Sequence, residues 1–290
     1  MHTITMFAPA KINLYLHVTG RREDGYHLLD SLVAFADIGD RIAVEAADRF
    51  EFALTGPMAA SLAGENPEGN LAVRAAKTLA LAAKKPLNFK ITLEKNLPIA
   101  SGIGGGSTDA AAALLALARF WNLRPETLPL HEIARGLGQD IPACLLRRPC
   151  YFRNIGDELD PAPNLPRTGI VLANPGLSVP TPAVFKRRQG DFSPPARLEP
   201  AATLQDLIAA LKTRRNDLYA PAIELAPAIA DCLNAVAATQ DCLLARMSGS
   251  GATCFGLYET AALAGAAAAA LQKQHPDWWV QSGVVPFADS

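Results

Sequence analysis

The sequence has no excess of either charge: 27 Lys and Arg stand against 28 Asp and Glu, a formal net charge of −1. Such a balance builds no field that would draw nucleic acid or an anionic membrane. Long apolar runs are missing too. The longest, Ala261 to Leu271, is Ala-rich and too short to span a bilayer, so it reads as an amphipathic or half-buried helix. Cysteine is sparse. Cys144, Cys150, Cys232, Cys242 and Cys254 are odd in number, scattered and free of any Cys-x-x-Cys spacing. That pattern argues against a zinc site or a disulfide framework and for reduced, buried thiols. Met1-His2-Thr3-Ile4-Thr5 has neither a basic n-region nor a long apolar h-region, so the expectation is a cytoplasmic chain without a secretory signal. There is no internal repeat, and no Asp/Glu cluster marks a dedicated metal cage.

What is present is an ordinary globular composition, 50% hydrophobic and 19% charged, over 290 residues, enough for about two domains. Its centre is one stretch. Phe89-Lys90-Ile91-Thr92-Leu93-Glu94 alternates as a half-buried strand does. Pro98 is expected to end the ladder. Then comes Ala100-Ser101-Gly102-Ile103-Gly104-Gly105-Gly106-Ser107-Thr108-Asp109 and an Ala/Leu helix reaching Trp121. Ser107 or Thr108 is expected to cap that helix, with Asp109 in its first turn. A bare glycine loop leading into a helix N-terminus can cradle an anion, and it can equally be a turn that packs a helix close to a strand. Its position outside the core would make it dispensable for folding. A Walker loop needs Lys after the last glycine, where Ser107 stands. The dinucleotide fingerprint needs glycine at that same position. The protein-kinase signatures do not occur.

What remains, Pro98-x3-Gly102-Ile103-Gly104-Gly105-Gly106-Ser107-Thr108-Asp109, resembles the ATP-phosphate loop of the GHMP small-molecule kinases. Ala100-Ser101 stands where those kinases often have more glycine, and Thr108 where serine is common. By that resemblance Pro98, Gly102, Gly104, Gly105, Gly106, Ser107 and Thr108 bind ATP. Asn70, before a helix read from Leu71 to Ala83, lies beside the adenine, and Lys95 lies near the nucleotide. Read by itself, Lys95 is equally an exposed loop lysine.

Two further strings extend the likeness. In Ala8-Pro9-Ala10-Lys11-Ile12-Asn13-Leu14-Tyr15-Leu16-His17-Val18, the apolar side chains share one face, and Lys11, Asn13, Tyr15 and His17 share the other. That second face is either solvated or lines a cleft. Arg21-Arg22-Glu23-Asp24-Gly25-Tyr26-His27 turns at Asp24-Gly25 and places an aromatic and an imidazole together, able to hold a planar base or merely to anchor a hairpin. Both strings resemble the GHMP branch whose acceptor alcohol is a cytidine diphosphate-linked methylerythritol, in the non-mevalonate route to isoprenoid precursors. The resemblance assigns substrate contacts to Asn13, Tyr26, His27, Thr181 and Phe185. Tyr26 and Phe185 would clamp the cytosine while His27 reads its edge. It makes Asp140, in Gly138-Gln139-Asp140-Ile141-Pro142, the catalytic base, with Lys11 keeping it ionised. As a bare sequence feature, Asp140 is the N-cap of a short helix.

The remaining chain reads as follows. Arg41–Glu45 and Phe50–Leu54 continue an antiparallel meander, and a helix spans Leu130 to Leu137. Asn154-Ile155-Gly156-Asp157 makes a turn, and Gly169 to Ala173 is a strand. Thr181 N-caps a helix with Pro182 at its first position, and residues 190–200 form a Pro-rich surface loop. Helices follow over 203–212, 221–238 and 260–274. The small-residue turn Met247-Ser248-Gly249-Ser250-Gly251 enters a strand, and Trp278 to Val285 is the last strand. The resemblance implies an α+β, two-domain GHMP kinase fold, with domains 1–155 and 156–290 and the active site in the cleft between them. It also implies ATP and Mg²⁺ as cofactors, a small-molecule substrate, no nucleic acid or membrane partner, and a monomer or weak homodimer. Two alternatives stand beside it: a GHMP kinase for another alcohol, of homoserine or mevalonate type, and a nucleotide-binding relative without turnover.

Overall fold

The computed structural model describes residues 3–156 and 158–287; Met1, His2, residues 288–290 and Asp157, the last residue of the turn read after Asn154, lie outside them. The chain forms two compact units, neither of them continuous in sequence. One takes in the chain up to Ala10, Gly39–Ile99 and Gly104–Arg147; the other takes Lys11–Ile38, Ala100–Ile103 and the chain from Arg148 on. Strands β1 (Ile4–Arg21) and β2 (His27–Ala46) pair with each other and contribute residues to both units.

In the first unit, β3 (Glu51–Thr55), α1 (Leu71–Ala82) and β4 (Phe89–Glu94) are followed by α2 (Gly105–Phe120), α3 (Leu130–Leu137) and α4 (Ile141–Leu146). The end of β2 pairs antiparallel with β4, from Arg41 opposite Glu94 to Ala46 opposite Phe89. The expected meander is corrected here. β3 does not pair with β2; it lies parallel to β4, with Glu51 opposite Lys90, because β4 occupies the place between them. β4 ends at Glu94, ahead of Pro98, as the chain turns into the loop. Helix α2 packs on α1, and both helices are rich in buried small side chains: Ala110–Ala113 and Ala116 in one, Ala72, Ala75, Ala76 and Ala80 in the other. Alanine lets the backbones approach while keeping full helix propensity. Asn70 caps α1, its Oδ1 accepting the amide of Ala72 at 2.9 Å.

In the second unit, β5 (Cys150–Asn154) pairs with the first part of β2, and β6 (Glu158–Pro161) pairs with β5. Then follow β7 (Thr168–Asn174), α5 (Thr181–Arg187), α6 (Leu204–Lys212), α7 (Tyr219–Leu225), α8 (Ala228–Ala237), β8 (Leu244–Met247), β9 (Cys254–Tyr258), α9 (Ala261–Gln274) and β10 (Trp279–Val285). The sheet order β10-β7-β9-β8 is antiparallel throughout. α8 and α9 cover it, and the core holds Val171, Ile229, Val236, Cys254, Tyr258 and Leu271. The single helix expected over 221–238 is two, broken at Ala226 and Pro227, since proline disfavours helical backbone in the residue before it. Thr181 is not an N-cap. Pro180 holds that place in extended backbone, so Thr181 and Pro182 are the first two helical residues. Within the surface loop of 190–200, Ser193 and Leu198 are buried anchors. All five cysteines are free thiols, four of them buried and Cys242 half-buried. Among the described residues no helix is long and apolar enough to cross a membrane.

Candidate active site

In the second unit the Lys11–Val18 strand, the first part of the glycine loop and the small-residue turn after Met247 meet. All of Ala8–Val18 is buried. Of the two readings of that face, the solvated one fails: Lys11, Asn13, Tyr15 and His17 are enclosed as fully as the apolar residues between them. The Lys11 amide donates to Ile103 O at 2.9 Å, and its Nζ lies 5.4 Å from the centre of the Phe152 ring. The Asn13 amide donates to Ser248 Oγ at 3.1 Å, and that hydroxyl donates in turn to Gly102 O at 3.0 Å. Thr253 N donates to Ser101 O at 3.0 Å. Gly102 has φ +77°, and a Cβ there would stand 2.4 Å from Ser248 O. Only glycine fits this crossing, for conformational and steric reasons together.

The Asn13 side chain donates from Nδ2 to Ser31 Oγ at 2.8 Å, while its buried Oδ1 has no protein partner. A buried acceptor left open costs free energy unless a ligand or water fills it. Ser31 Oγ donates to Tyr15 O at 2.5 Å. The Tyr15 hydroxyl sits 3.3 Å from both oxygens of Asp30, and burial, with Asp30, pushes its pKa up. Near the start of β2, the His27 ring stacks on Phe185 with centroids 5.2 Å apart. Partial burial, then Arg21 and Arg188, depress the His27 pKa, so its ring is neutral near pH 7. Of the two aromatics expected to clamp the base, Phe185 stacks on His27 and Tyr26 is 54% exposed. Thr181 Oγ1 is hydrogen-bonded to Ser250 Oγ at 2.8 Å.

In the first unit the loop enters α2. Gly104, at φ +66°, is the N-cap, so the expected capping by Ser107 or Thr108 is wrong. Those hydroxyls fall inside the first turn, and Thr108 Oγ1 bonds back to Gly105 O at 2.9 Å. A left-handed glycine can make the turn without a capping side chain and leaves the first helical amides uncovered. Gly106 is exposed, Ser107 half-buried and Pro98 buried. Asp109 lies beyond the first turn and is turned inward.

Lys95 is no exposed loop lysine. Its Nζ is buried between Asp40 Oδ2 at 2.5 Å and Asp109 Oδ2 at 2.8 Å. The two carboxylates outweigh the cost of burial and raise its pKa. A Cβ on Gly105 would lie 3.0 Å from that Nζ, so this glycine belongs to the folded interior as much as to the loop. Asp140 occupies the N-cap position of α4, yet its side chain makes no cap hydrogen bond. Sequence reasoning passed over Ser248, Asp40 and Asp109. Ser248 and Asp109 lay inside quoted motif strings. Asp40 carried no signal, as its partners are distant in the chain.

A family model described as GHMP kinases N terminal domain matches residues 70–148, and one described as GHMP kinases C terminal matches residues 200–277. A 4-diphosphocytidyl-2-C-methyl-D-erythritol kinase from Cereibacter sphaeroides is 54% identical over 277 residues, 94% of this chain and 96% of that one. Its namesake from Paramagnetospirillum magneticum is 49% identical over 282 residues, 97% and 98% of the two chains. Among solved structures, a 4-(cytidine 5'-diphospho)-2C-methyl-D-erythritol kinase superposes with a TM-score of 0.81 at 36% identity, over 98% of this chain and 100% of that one. A homoserine kinase from Cytophaga hutchinsonii shares the fold, with a TM-score of 0.73 at 16% identity over 98% and 94% of the chains.

Proposed function

This chain belongs to the 4-diphosphocytidyl-2-C-methyl-D-erythritol kinases of the GHMP family, and on that premise we propose that it moves the γ-phosphoryl group of ATP to the 2-hydroxyl of 4-diphosphocytidyl-2-C-methyl-D-erythritol. The reaction would run in the cytoplasm, as a step of the non-mevalonate route to isoprenoid precursors. The structural observation that supports this most directly is the junction at Ser248, where the Lys11–Asn13 strand, the glycine loop and the small-residue turn after Met247 are tied by hydrogen bonds.

Phosphoryl transfer asks a protein mainly for position and for charge to meet the phosphates. The uncovered amides at the head of α2 receive the triphosphate, with no Cβ at Gly104 to hold it off. Asp140 takes the proton of the acceptor hydroxyl as the oxygen–phosphorus bond forms and ADP departs; its carboxylate is not spent on capping α4. Lys11 offsets charge on the transferring group. Among the described residues no group of three or more His, Cys, Asp or Glu could hold a metal ion. Mg²⁺ would arrive on the ATP phosphates, where it would neutralise charge. Asn13 offers its open Oδ1 to a substrate hydroxyl or amine. Phe185 and the neutral His27 ring take the cytosine, the imidazole presenting one donor and one acceptor to the base edge, and Tyr26 and Thr181 border them.

An ADP-release assay over alcohols with and without the cytidine diphosphate group tests the assignment. Asp140→Asn should cut kcat by about a hundred-fold or more while ATP and acceptor still bind. Phe185→Ala should weaken the cytidylated acceptor by about ten- to a hundred-fold and leave ATP affinity unchanged. Equal use of free methylerythritol by the wild type would overturn the cytidine assignment in favour of a GHMP kinase for a simpler alcohol.

A further inference from the structure

The Lys95 cluster lies outside the chemistry proposed above, yet it touches the chain on both sides of the glycine loop. On the near side, Asp40 Oδ1 accepts the amides of Asn96 at 2.5 Å and Leu97 at 2.8 Å, and its Oδ2 accepts Lys95 Nζ at 2.5 Å. On the far side, the same ammonium donates to Asp109 Oδ2 at 2.8 Å, inside α2. Asp40, Lys95 and Asp109 are 0%, 2% and 3% exposed. Asp109 Oδ1 is buried without a partner. The ammonium also lies within 3.0 Å of where a Gly105 Cβ would be, directly against the first helical residue. The Asp40 carboxylate thus holds the amides of residues 96 and 97, and the Lys95 ammonium ties that carboxylate to residue 109. The backbone between them has only the freedom that this closure leaves.

We propose that Asp40 and Asp109 are positioning residues for ATP, acting through Lys95 as a clasp that holds the amides of Gly104–Ser107 in the array the triphosphate needs. Lys95 is then the centre of the clasp, its ammonium held by the two carboxylates rather than by the nucleotide. The clasp rests on the ATP reading above and adds to it a second layer of residues that touch no substrate. A buried ion pair is poor evidence for stability, since burial costs most of what attraction supplies, but it fixes geometry well. A displacement of the order of an ångström at a positioned group is enough to cost large factors in rate or affinity.

The test uses full-length protein and ATP alone before any acceptor is added. Titration calorimetry with ATP·Mg on the wild type, Asp40→Asn, Asp109→Asn and Lys95→Met gives dissociation constants that do not depend on the identity of the alcohol. Steady-state kinetics then separate KM for ATP, KM for the acceptor and kcat. The expected result is ATP binding weakened by about ten-fold or more in both carboxylate variants, with kcat and acceptor KM within about three-fold of wild type. The double variant Asp40→Asn/Lys95→Met should bind ATP no worse than its poorer parent, because both changes open the same clasp. Asp109→Asn is isosteric and keeps the Lys95–Asp40 pair, so it remains a folded probe if Lys95→Met is not.

Three results overturn the proposal. ATP binding within two-fold of wild type in both carboxylate variants would leave the cluster structural only. Tighter binding would show an ammonium released to reach the phosphates, making Lys95 a direct ligand. Equal losses in ATP KM, acceptor KM and kcat would mean general loosening. A wild type that binds no ATP at all would remove the kinase reading first, and the clasp with it.

Discussion

From Ala100 to Ile103 the glycine loop is held by uncharged groups at short range: Lys11 N on Ile103 O, Ser248 Oγ on Gly102 O, Thr253 N on Ser101 O. From Gly104 to Asp109 the holding is done by charge, through Lys95 between two carboxylates. The first limb depends on shape, because a backbone pressed within 2.4 Å of a would-be Cβ has no slack. The second depends on protonation state and on the balance between burial and attraction. The two limbs should therefore fail differently, one to added volume and the other to changed charge.

The severest break is expected on the charged limb. Lys95→Met leaves two buried carboxylates facing each other and should cost about 3–5 kcal/mol of folding free energy, read from urea unfolding. On the neutral limb, Gly102→Ala combines a clash against fixed backbone with a disfavoured φ and should cost about 2–4 kcal/mol, with ATP affinity falling alongside. Ser248→Ala should be milder, about 1–2 kcal/mol, for the Asn13 amide and Gly102 carbonyl left unpaired.

A fourth test separates the limbs by pH. Burial, aided by Asp40 and opposed by Lys95, raises the Asp109 pKa above the usual carboxylate range. Above about pH 4 the unfolded chain gives up a proton that the folded protein holds until its own, higher pKa, so this group's contribution to stability is whole below about pH 4 and lost as pH rises from there. Wild-type melting temperature should fall across that window more steeply than that of Asp109→Asn, while Ser248→Ala should keep the wild-type slope. The smallest effect belongs to Gly106→Ala. A Cβ there meets only Leu71 Cδ1, at 3.4 Å, and stability should move by no more than about 0.5 kcal/mol. A large loss at Gly106 would show that the charged limb is as intolerant of volume as the neutral one.

Much of the scaffold was legible because its signals are local. The alternation of Phe89–Glu94 gave β4 to the residue, and the apolar spacing of Leu130–Leu137 did the same for α3. What escaped was pairing at a distance. The parallel seat of β3 beside β4 follows from the insertion of a later strand, which the Phe50–Leu54 pattern does not announce. In the site, the glycine string and the Lys11, Asp140 and His27 positions could be quoted from motifs, whereas Asp40 could not: its partner Lys95 is 55 residues further on. A carboxylate on an alternating strand looks the same whether it faces water or a buried ammonium. The capping error at Ser107 and Thr108 has a similar source, since a left-handed glycine can open a helix with no capping side chain to advertise it.

The division of β1 and β2 between units bears on how the protein is made. On a ribosome adding about 5–20 residues each second, Lys11–Ile38 emerges about a hundred residues ahead of the segment from Arg148 that completes its unit. For those seconds the nascent β1–β2 ribbon has its own internal pairing but lacks the strand Cys150–Asn154 that closes its edge. An open strand edge invites the wrong neighbour. Synthesis of this chain therefore has a vulnerable interval, ending when β5 leaves the exit tunnel, during which a holdase chaperone has most to protect.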